Sequence, residues 1–267
     1  VYDPLIQALS GLASVQGAGG RPRLVRTILP DKVTAIQAAQ AITAALFARE
    51  RTGEGTALRL SMLDTVVHFL WASDMSGLTF VGDEAPEPEE TAQSFVELIY
   101  ETRDGFMAVS AHTDATWAGL SRAAGRPEWR EDPRFATVEA REVNKAARLE
   151  LTQEVLLEDT TESWLARLGA EDVPCAPVLR RSEMIAHPQV VANGVVMEAE
   201  HPEAGRVRMA REPAVWSAYP LAAPAPSRPL GADTRAVLAE AGYSAAEVEA
   251  LLAAGAAAEP GTRRAAE

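Results

Sequence analysis

Cysteine is nearly absent from this sequence, because Cys175 is the only one among 267 residues. One cysteine excludes an intrachain disulfide and a Cys-rich zinc site, and it fits a reducing compartment. The four histidines, at positions 68, 112, 187 and 201, show no metal-ligand spacing. A zinc hydrolase is therefore disfavoured.

Basic charge is also scarce, since 38 acidic residues face 25 basic ones and the net charge is −13. This balance opposes a general nucleic-acid or anionic-membrane binder. No apolar run approaches 18 residues, and the N-terminus lacks the pattern of a signal peptide. These absences predict a soluble cytoplasmic protein. The opening "VYDPLIQALSGL" is typical of the middle of a domain, so we expect a further part upstream.

Two common active-site motifs are missing as well. The sequence has no G-x-S-x-G elbow and no G-x-G-x-x-G after a strand, and "GAGG" at 17–20 has the wrong spacing. Triad hydrolases and dinucleotide enzymes are therefore disfavoured. His68, in an apolar helical segment, is interpreted as a core histidine. The five tryptophans, at 71, 117, 129, 164 and 216, are scattered and predict core packing.

The first 80 residues show alternating strand and helix patterns. An extended apolar segment at 24–29 precedes a long helix from Asp31, whose apolar residues recur at three- and four-residue steps up to Gly53. A strand at 57–63 and a helix at 64–75 follow. This order predicts a parallel α/β layer.

An acidic, proline-containing stretch at 81–91 is interpreted as a linker. Beyond it, a hairpin is predicted at 94–111 around "TRDG", with helices at 114–124, 138–157 and 161–168, the last ended by Gly169. A buried strand at 173–179, a second hairpin at 195–211, a Pro-rich extended segment at 222–231 and two short helices complete the chain. We predict four parts: 1–80, a linker at 81–93, a small α+β domain at 94–190, and 191–267.

Asp31 has two interpretations. It is a helix N-terminal acid that accepts backbone N–H bonds, or it is a carboxylate nucleophile that attacks a thioester or ester carbonyl. Residue spacing alone does not separate the two. Lys32, Arg21 and Arg23 belong to the most basic segment of this acidic chain. They are either solvated surface charges or phosphate contacts.

Several segments in this order resemble the class III CoA-transferase family, also called the CaiB/BaiF family. They are "YDPLIQALSGL", "PDKVTAIQAAQAITAALFARERTGEG", "LRLSMLD", "GFMAVSA", "WREDPRF", "VPCAPVL", "HPQV" and "PLGADT". The resemblance implies an α/β fold with part of a Rossmann-like large domain, a smaller α+β domain and an interlocked homodimer. It also implies that Asp31 is the catalytic aspartate and that Met62 lines the thiol end of CoA.

The implied activity is transfer of CoA from an acyl-CoA to a small carboxylic acid through an aspartyl-bound intermediate. CoA and acyl-CoA are substrates, and no permanently bound cofactor is implied; Lys32, Arg21 and Arg23 are the predicted CoA contacts. The family's glycine-rich active-site loop would fall near 83–93, where this sequence has "DEAPEPEETAQ". Two alternatives are an acyl-CoA racemase, which would carry a His where Tyr2 stands, and a catalytically silent interaction subunit.

Overall fold

The computed structural model describes residues 2–17, 20–81, 98–220 and 224–261. The chain forms two compact units, Val1–Val178 and Leu179–Glu267. The four-part division expected from the sequence stays a prediction, and its linker at 81–93 lies, apart from Val81, outside the described residues.

The start of the first unit is helical. Its four helices are α1 (Asp3–Leu9), α2 (Leu12–Gly17), α3 (Leu29–Thr52) and α4 (Met62–Trp71). Helix α3 confirms the predicted long helix, and Gly53 ends it in the left-handed conformation that glycine adopts without steric cost. Helix α4 begins two residues before the prediction, because the Ser61 hydroxyl accepts the Asp64 N–H at 3.0 Å and caps it.

The strands predicted at 24–29 and 57–63 are wrong. Residues 24–28 are irregular and α3 already begins at Leu29. Residues 57–61 are exposed and form no strand, and α4 begins at Met62. A strand requires a neighbour for its backbone N–H and C=O groups. No strand lies within the described residues 2–81, so the predicted parallel layer is not formed by this part of the chain.

The burial of α3 follows one face and one end. Small and medium side chains at 33, 34, 37, 38, 41 and 45 are half-buried, Pro30 is buried, and every side chain from 46 to 55 is exposed. The apolar residues whose spacing predicted the helix lie largely at the surface, with Ile36 72% exposed and Phe47 63% exposed. Periodicity therefore identified the helix but not the face that packs.

The rest of the first unit is an antiparallel sheet covered by helices. The strands are β1 (Ile99–Glu101), β2 (Phe106–Val109) and β3 (Cys175–Pro177), in the order β1-β2-β3. The predicted hairpin and a strand within 173–179 are confirmed at shorter lengths. The prediction that this strand is buried is wrong, because Cys175 and Pro177 are half-buried and Ala176 is exposed. The helices are α5 (Asp114–Ala124), α6 (Val138–Val143), α7 (Lys145–Leu156) and α8 (Thr161–Ala170).

Two helix predictions in this region need correction. The helix expected at 138–157 is divided at Asn144, which caps the end of α6 and the start of α7. Gly169 does not end α8, which continues to Ala170; the chain leaves the helix through Asp172 at a positive φ of 54°.

The core of the sheet and its helices contains most of the buried aromatic residues. Trp117 stacks on Trp129 with 5.7 Å between ring centroids, and the Trp164 indole N–H donates to the Leu156 carbonyl at 2.9 Å. These three tryptophans confirm the predicted core packing. Trp71 and Trp216 are exposed, so for them the prediction is wrong.

The second unit is built from short elements. They are α9 (Arg181–Met184), α10 (Pro188–Asn193), the hairpin β4 (Val196–His201) and β5 (Gly205–Ala210), α11 (Thr234–Glu240) and α12 (Ala245–Ala253). The predicted hairpin and both short helices are confirmed. The Ser244 hydroxyl and the Glu247 carboxylate form the predicted capping box at the start of α12.

A matched pair of substitutions at the end of α7 tests where the core lies. Leu156 is 0% exposed and Leu157 is 46% exposed. We expect Leu156→Ala to lower the free energy of unfolding by about 2–5 kcal/mol, because it leaves a cavity in a packed core. Leu157→Ala should cost about 1 kcal/mol or less. Urea denaturation of both variants measures the difference; equal losses would contradict this core.

Candidate active site

Asp31 lies in the first turn of α3, where its side chain is exposed. The N-cap residue of α3 is Ile28, which makes no side-chain capping bond, and Asp31 is three positions further along. Asp31 is therefore not the N-cap of α3, although its negative charge still complements the helix dipole. An exposed carboxylate at this position is open to a ligand.

The backbone of Asp31 is hydrogen-bonded to the buried carboxylate of Asp3. Its N–H donates to Asp3 Oδ2 at 3.4 Å, and the other oxygen of Asp3 accepts from the Gln7 amide at 2.7 Å. Asp3 and Gln7 are both buried in α1, four residues apart and so on one helix face. The first turn of α3 is thus fixed to α1 by a hydrogen-bonded pair that solvent does not reach.

The same Gln7 amide holds the loop that leads to α3. Gln7 Oε1 accepts the Val25 N–H at 2.8 Å, and Gln7 Nε2 lies 3.3 Å from the carbonyl oxygens of Val25 and Thr27. These contacts pair backbone N–H and C=O groups of residues 25–27, which a neighbouring strand would otherwise pair. They explain why the segment predicted as a strand is ordered without being one.

The basic residues predicted to bind CoA lie along this loop and at the start of α3. Lys32 Nζ donates to Thr27 Oγ1 at 2.8 Å, so its ammonium group lies against the loop that precedes α3. Arg21 and Arg23 have exposed side chains, and the Arg23 N–H donates to the Ala13 carbonyl at 2.9 Å. The structure directs the Lys32 ammonium group to the Thr27 hydroxyl and leaves the Arg21 and Arg23 side chains exposed.

Met62 is the first residue of α4 and packs on a small apolar cluster. Buried Ile6, Leu12, Val66 and Leu70 form this cluster, and Met62 and Leu29 lie against it. Because Leu29 begins α3, the helix turns that carry Asp31 and Met62 share one apolar support. Met62 and the start of α3 therefore pack against the same cluster, and the role of Met62 at the thiol end of CoA stays a prediction.

An open groove runs along α4 from this region. Leu9, Leu63, Val67 and Trp71 supply most of its apolar lining, with Asp64 and His68 as its polar residues. His68 is exposed, so its interpretation as a core histidine is wrong. The helical pattern that suggested burial is correct, but His68 lies on the side of α4 that faces the groove.

The described residues contain no cluster of three or more His, Cys, Asp or Glu side chains that could hold a metal ion. Among the same residues, no helix combines the length and apolar character needed to cross a membrane.

Sequence analysis did not identify Asp3 and Gln7 as part of the site. The available signal was their i, i+4 spacing in a helix whose other buried residue is Ile6. Two polar residues on the buried face of an amphipathic helix require partners, and these partners lie more than 15 residues away in the sequence. A single sequence does not reveal such a contact.

The fold and the site together define a mixed α/β protein that presents an exposed carboxylate at the start of a helix. Comparison with known proteins identifies the family: the profile described as "CoA-transferase family III" matches residues 1–234. The chain belongs to this family.

Relatives and solved structures agree with this assignment. Human succinyl-CoA:glutarate CoA-transferase is 27% identical over 258 residues, covering 95% of this chain and 58% of the relative. Formyl-CoA:oxalate CoA-transferase from Escherichia coli is 28% identical over 274 residues, covering 94% and 65%. A CaiB/BaiF family protein from Brucella suis superposes with a TM-score of 0.75 at 26% identity, covering 90% of this chain and 62% of that one. The chain spans about three-fifths of the length of these curated relatives.

Loss of the Gln7 amide should loosen the loop in front of Asp31. In Gln7→Leu the Val25 N–H loses its acceptor, so we expect its hydrogen exchange to accelerate and the free energy of unfolding to fall by about 1–3 kcal/mol. Exposed Gln16→Leu, in α2, is the matched control and should change neither. Exchange at Val25 that stays at the wild-type rate would show that the amide does not hold this loop.

Proposed function

We propose that this protein is an acyl-CoA:carboxylate CoA-transferase in which Asp31 is the nucleophile. The observation that carries the proposal is the exposed Asp31 carboxylate at the start of α3 in a chain of the CoA-transferase family III. The named relatives move CoA between an acyl-CoA and a carboxylic acid. The substrates proposed here are of the same chemical classes.

The proposed reaction uses four acyl transfers. An Asp31 carboxylate oxygen attacks the thioester carbonyl of the acyl-CoA and expels CoA thiolate, which leaves an acyl-aspartyl anhydride. The thiolate attacks the Asp31 carbonyl and releases the donor acid, which leaves an aspartyl-CoA thioester. The acceptor carboxylate attacks this thioester and expels the thiolate again. The thiolate finally attacks the acceptor acyl carbonyl, giving the new acyl-CoA and free Asp31.

The arrangement around Asp31 supports a fixed nucleophile. The Asp3 and Gln7 pair holds the backbone of the first turn, so the carboxylate is presented from a defined position. Such positioning contributes to catalysis by keeping reacting atoms in line. Met62 is proposed to contact the thiol end of CoA, where an apolar, polarisable side chain suits sulfur.

Each tetrahedral intermediate carries an oxyanion that requires a donor. The first turn of α3 offers little for this purpose. The Leu29 N–H already donates to Thr27 O at 2.8 Å, Pro30 has no N–H, and the Asp31 N–H faces Asp3. The oxyanion donor is therefore expected outside this turn. Lys32 is the nearest cation along the chain, and it is proposed to contact CoA together with Arg21 and Arg23.

Three further features remain predictions. A Rossmann-like large domain and an interlocked homodimer are expected from the resemblance, and a cytoplasmic location is expected from the single cysteine and the missing signal-peptide pattern. The racemase alternative is less well supported, because Tyr2 offers a phenol where the racemases have an imidazole base. The second alternative is a catalytically silent interaction subunit. The following experiment distinguishes it from an enzyme, because a silent subunit would show no turnover even in the wild-type chain.

Asp31→Asn should abolish transfer while the chain stays folded. Removal of a nucleophile is expected to lower turnover by about a thousandfold or more. Glu54→Gln is the control, since Glu54 is an exposed carboxylate just beyond the far end of α3 and outside the groove. Turnover is measured with succinyl-CoA and glutarate and with formyl-CoA and oxalate. Mass spectrometry of the intact chain and of its peptides, with and without hydroxylamine, detects the covalent intermediate and locates the hydroxamate that hydroxylamine leaves on the aspartate. Near-normal turnover in Asp31→Asn would exclude Asp31 as the nucleophile.

Reversal of the two arginine charges tests the predicted phosphate contacts. If Arg21 and Arg23 bind phosphate, Arg21→Glu with Arg23→Glu should weaken CoA binding by about tenfold or more, since a hydrogen bond to a charged group contributes about 1.5–3 kcal/mol. Arg49→Glu with Arg51→Glu, at the far end of α3, makes the same change in net charge and is the control. Calorimetry that finds the same CoA affinity in both double variants would make Arg21 and Arg23 ordinary surface charges.

A further inference from the structure

The groove along α4 starts beside the residue that is predicted to lie at the thiol end of CoA. Met62 is the first residue of α4, and its neighbour Leu63 is the first residue of α4 that lines the groove. Leu63 packs against the same small apolar cluster as Met62 and Leu29. From Leu63 the groove follows α4 to Trp71, a rise of about 12 Å. One end of the groove therefore lies at the cluster that supports the first turn of α3.

The groove is also lined from α1, the helix that supports Asp31. Leu9 lines the groove at the end of α1, and Asp3 in the same helix accepts the Asp31 N–H. Helix α1 rises by about 9 Å between Asp3 and Leu9. This separation is comparable to the length of an acyl chain of medium size.

The predicted contacts of CoA leave this groove for the acyl group. Arg21 and Arg23, which are predicted to contact phosphate, belong to the loop before α3, and Met62 is predicted to contact the thiol end. The acyl group is bonded to that sulfur, so it continues past Met62 on the side away from the phosphates. The groove begins there. This step rests on the proposed function.

The lining of the groove suits an apolar acyl group. Leu9, Leu63, Val67 and Trp71 supply apolar surface, and the groove has a volume of about 480 Å³. Ligand sites of about 300–1,000 Å³ are lined mainly by apolar and aromatic side chains with a few polar groups. The Trp71 side chain is 47% exposed, so a ligand in the groove has aromatic surface to cover.

Charge in the groove disfavours a second carboxylate. Asp64 and His68 are exposed lining residues one turn apart on α4, and the described residues that line the groove include no lysine or arginine. The Asp64 carboxylate repels a carboxylate at the end of an acyl group and offsets any positive charge on His68. The names of the relatives include succinyl-CoA, glutarate and oxalate, all of which carry such a carboxylate.

We propose that the groove binds the acyl group of the CoA thioester and that this group is an uncharged aliphatic chain of medium length. Val67 and Trp71 cover the chain, and Asp64 discriminates against acyl groups that end in a carboxylate. The protein then carries out the same kind of transfer as its named relatives but prefers a different class of acyl group.

Binding of three CoA thioesters tests the groove. Butyryl-CoA and succinyl-CoA have acyl chains of equal length and differ in the second carboxylate, while octanoyl-CoA has a longer apolar chain. Calorimetry uses the Asp31→Asn chain, so that the proposed nucleophile does not consume the thioester. We expect octanoyl-CoA to bind about tenfold more tightly than butyryl-CoA, since the added methylene groups are buried. Butyryl-CoA should bind about two- to fivefold more tightly than succinyl-CoA.

Substitutions in α4 assign each preference to a side chain. In the same background, Trp71→Ala should lose most of the preference for octanoyl-CoA. Phe69→Ala is the matched control, because Phe69 is an aromatic residue of the same helix with 49% exposure and does not line the groove. Asp64→Asn should remove the preference for butyryl-CoA over succinyl-CoA and leave octanoyl-CoA binding unchanged.

The outcomes separate the groove from the proposed function. Equal affinities for octanoyl-CoA and butyryl-CoA would overturn the groove assignment, as would equal losses in Trp71→Ala and Phe69→Ala. Tighter binding of succinyl-CoA than of butyryl-CoA would overturn the uncharged class. If the wild-type chain shows turnover that depends on Asp31 while these preferences are missing, only the groove proposal fails. If neither CoA nor any of the thioesters binds, both proposals fail.

Discussion

The candidate site depends on how one buried amide satisfies the backbone of a loop. Residues 25–27 lead directly into α3, and without a neighbouring strand their polar groups would be unpaired. Gln7 pairs with them and also with Asp3, which in turn accepts the N–H of Asp31. The position of the exposed carboxylate is therefore set by a short chain of hydrogen bonds that begins in α1. An alteration anywhere in this chain is transmitted to Asp31.

The two apolar clusters of the first unit serve different purposes. The larger one, among residues 100–175, is a packed core with three tryptophans and a hairpin. The smaller one, with Ile6, Leu12, Val66 and Leu70, contains few residues but supports the starts of both α3 and α4. Few buried side chains thus hold the candidate site, which makes its hydrogen bonds more important than its hydrophobic contacts.

Local signals in the sequence predicted much of this structure. Gly53 and Gly125 follow α3 and α5 in the left-handed conformation, and "TRDG" forms the β1–β2 turn. The failures involve long-range pairing: the alternating pattern at 57–63 predicts a strand, but the described residues 2–81 contain no strand that could pair with it. His68 was placed in the core because helical spacing does not state which face packs. The resemblance indicates Asp31, but no local pattern in the sequence indicates the hydrogen bonds through which Asp3 and Gln7 hold its helix turn.

The uneven burial of α3 has a consequence for its dynamics. Only the end that carries Asp31 includes a buried residue, Pro30, and contact with the rest of the protein diminishes until every side chain beyond Ala45 is in solvent. Fraying of such a helix starts where tertiary contacts are fewest. The turns near Gly53 are therefore expected to open and close many times while the turn at Asp31 remains closed. The helix is fixed at its reactive end and frays at the other end. Fraying near Gly53 therefore need not displace the Asp31 carboxylate.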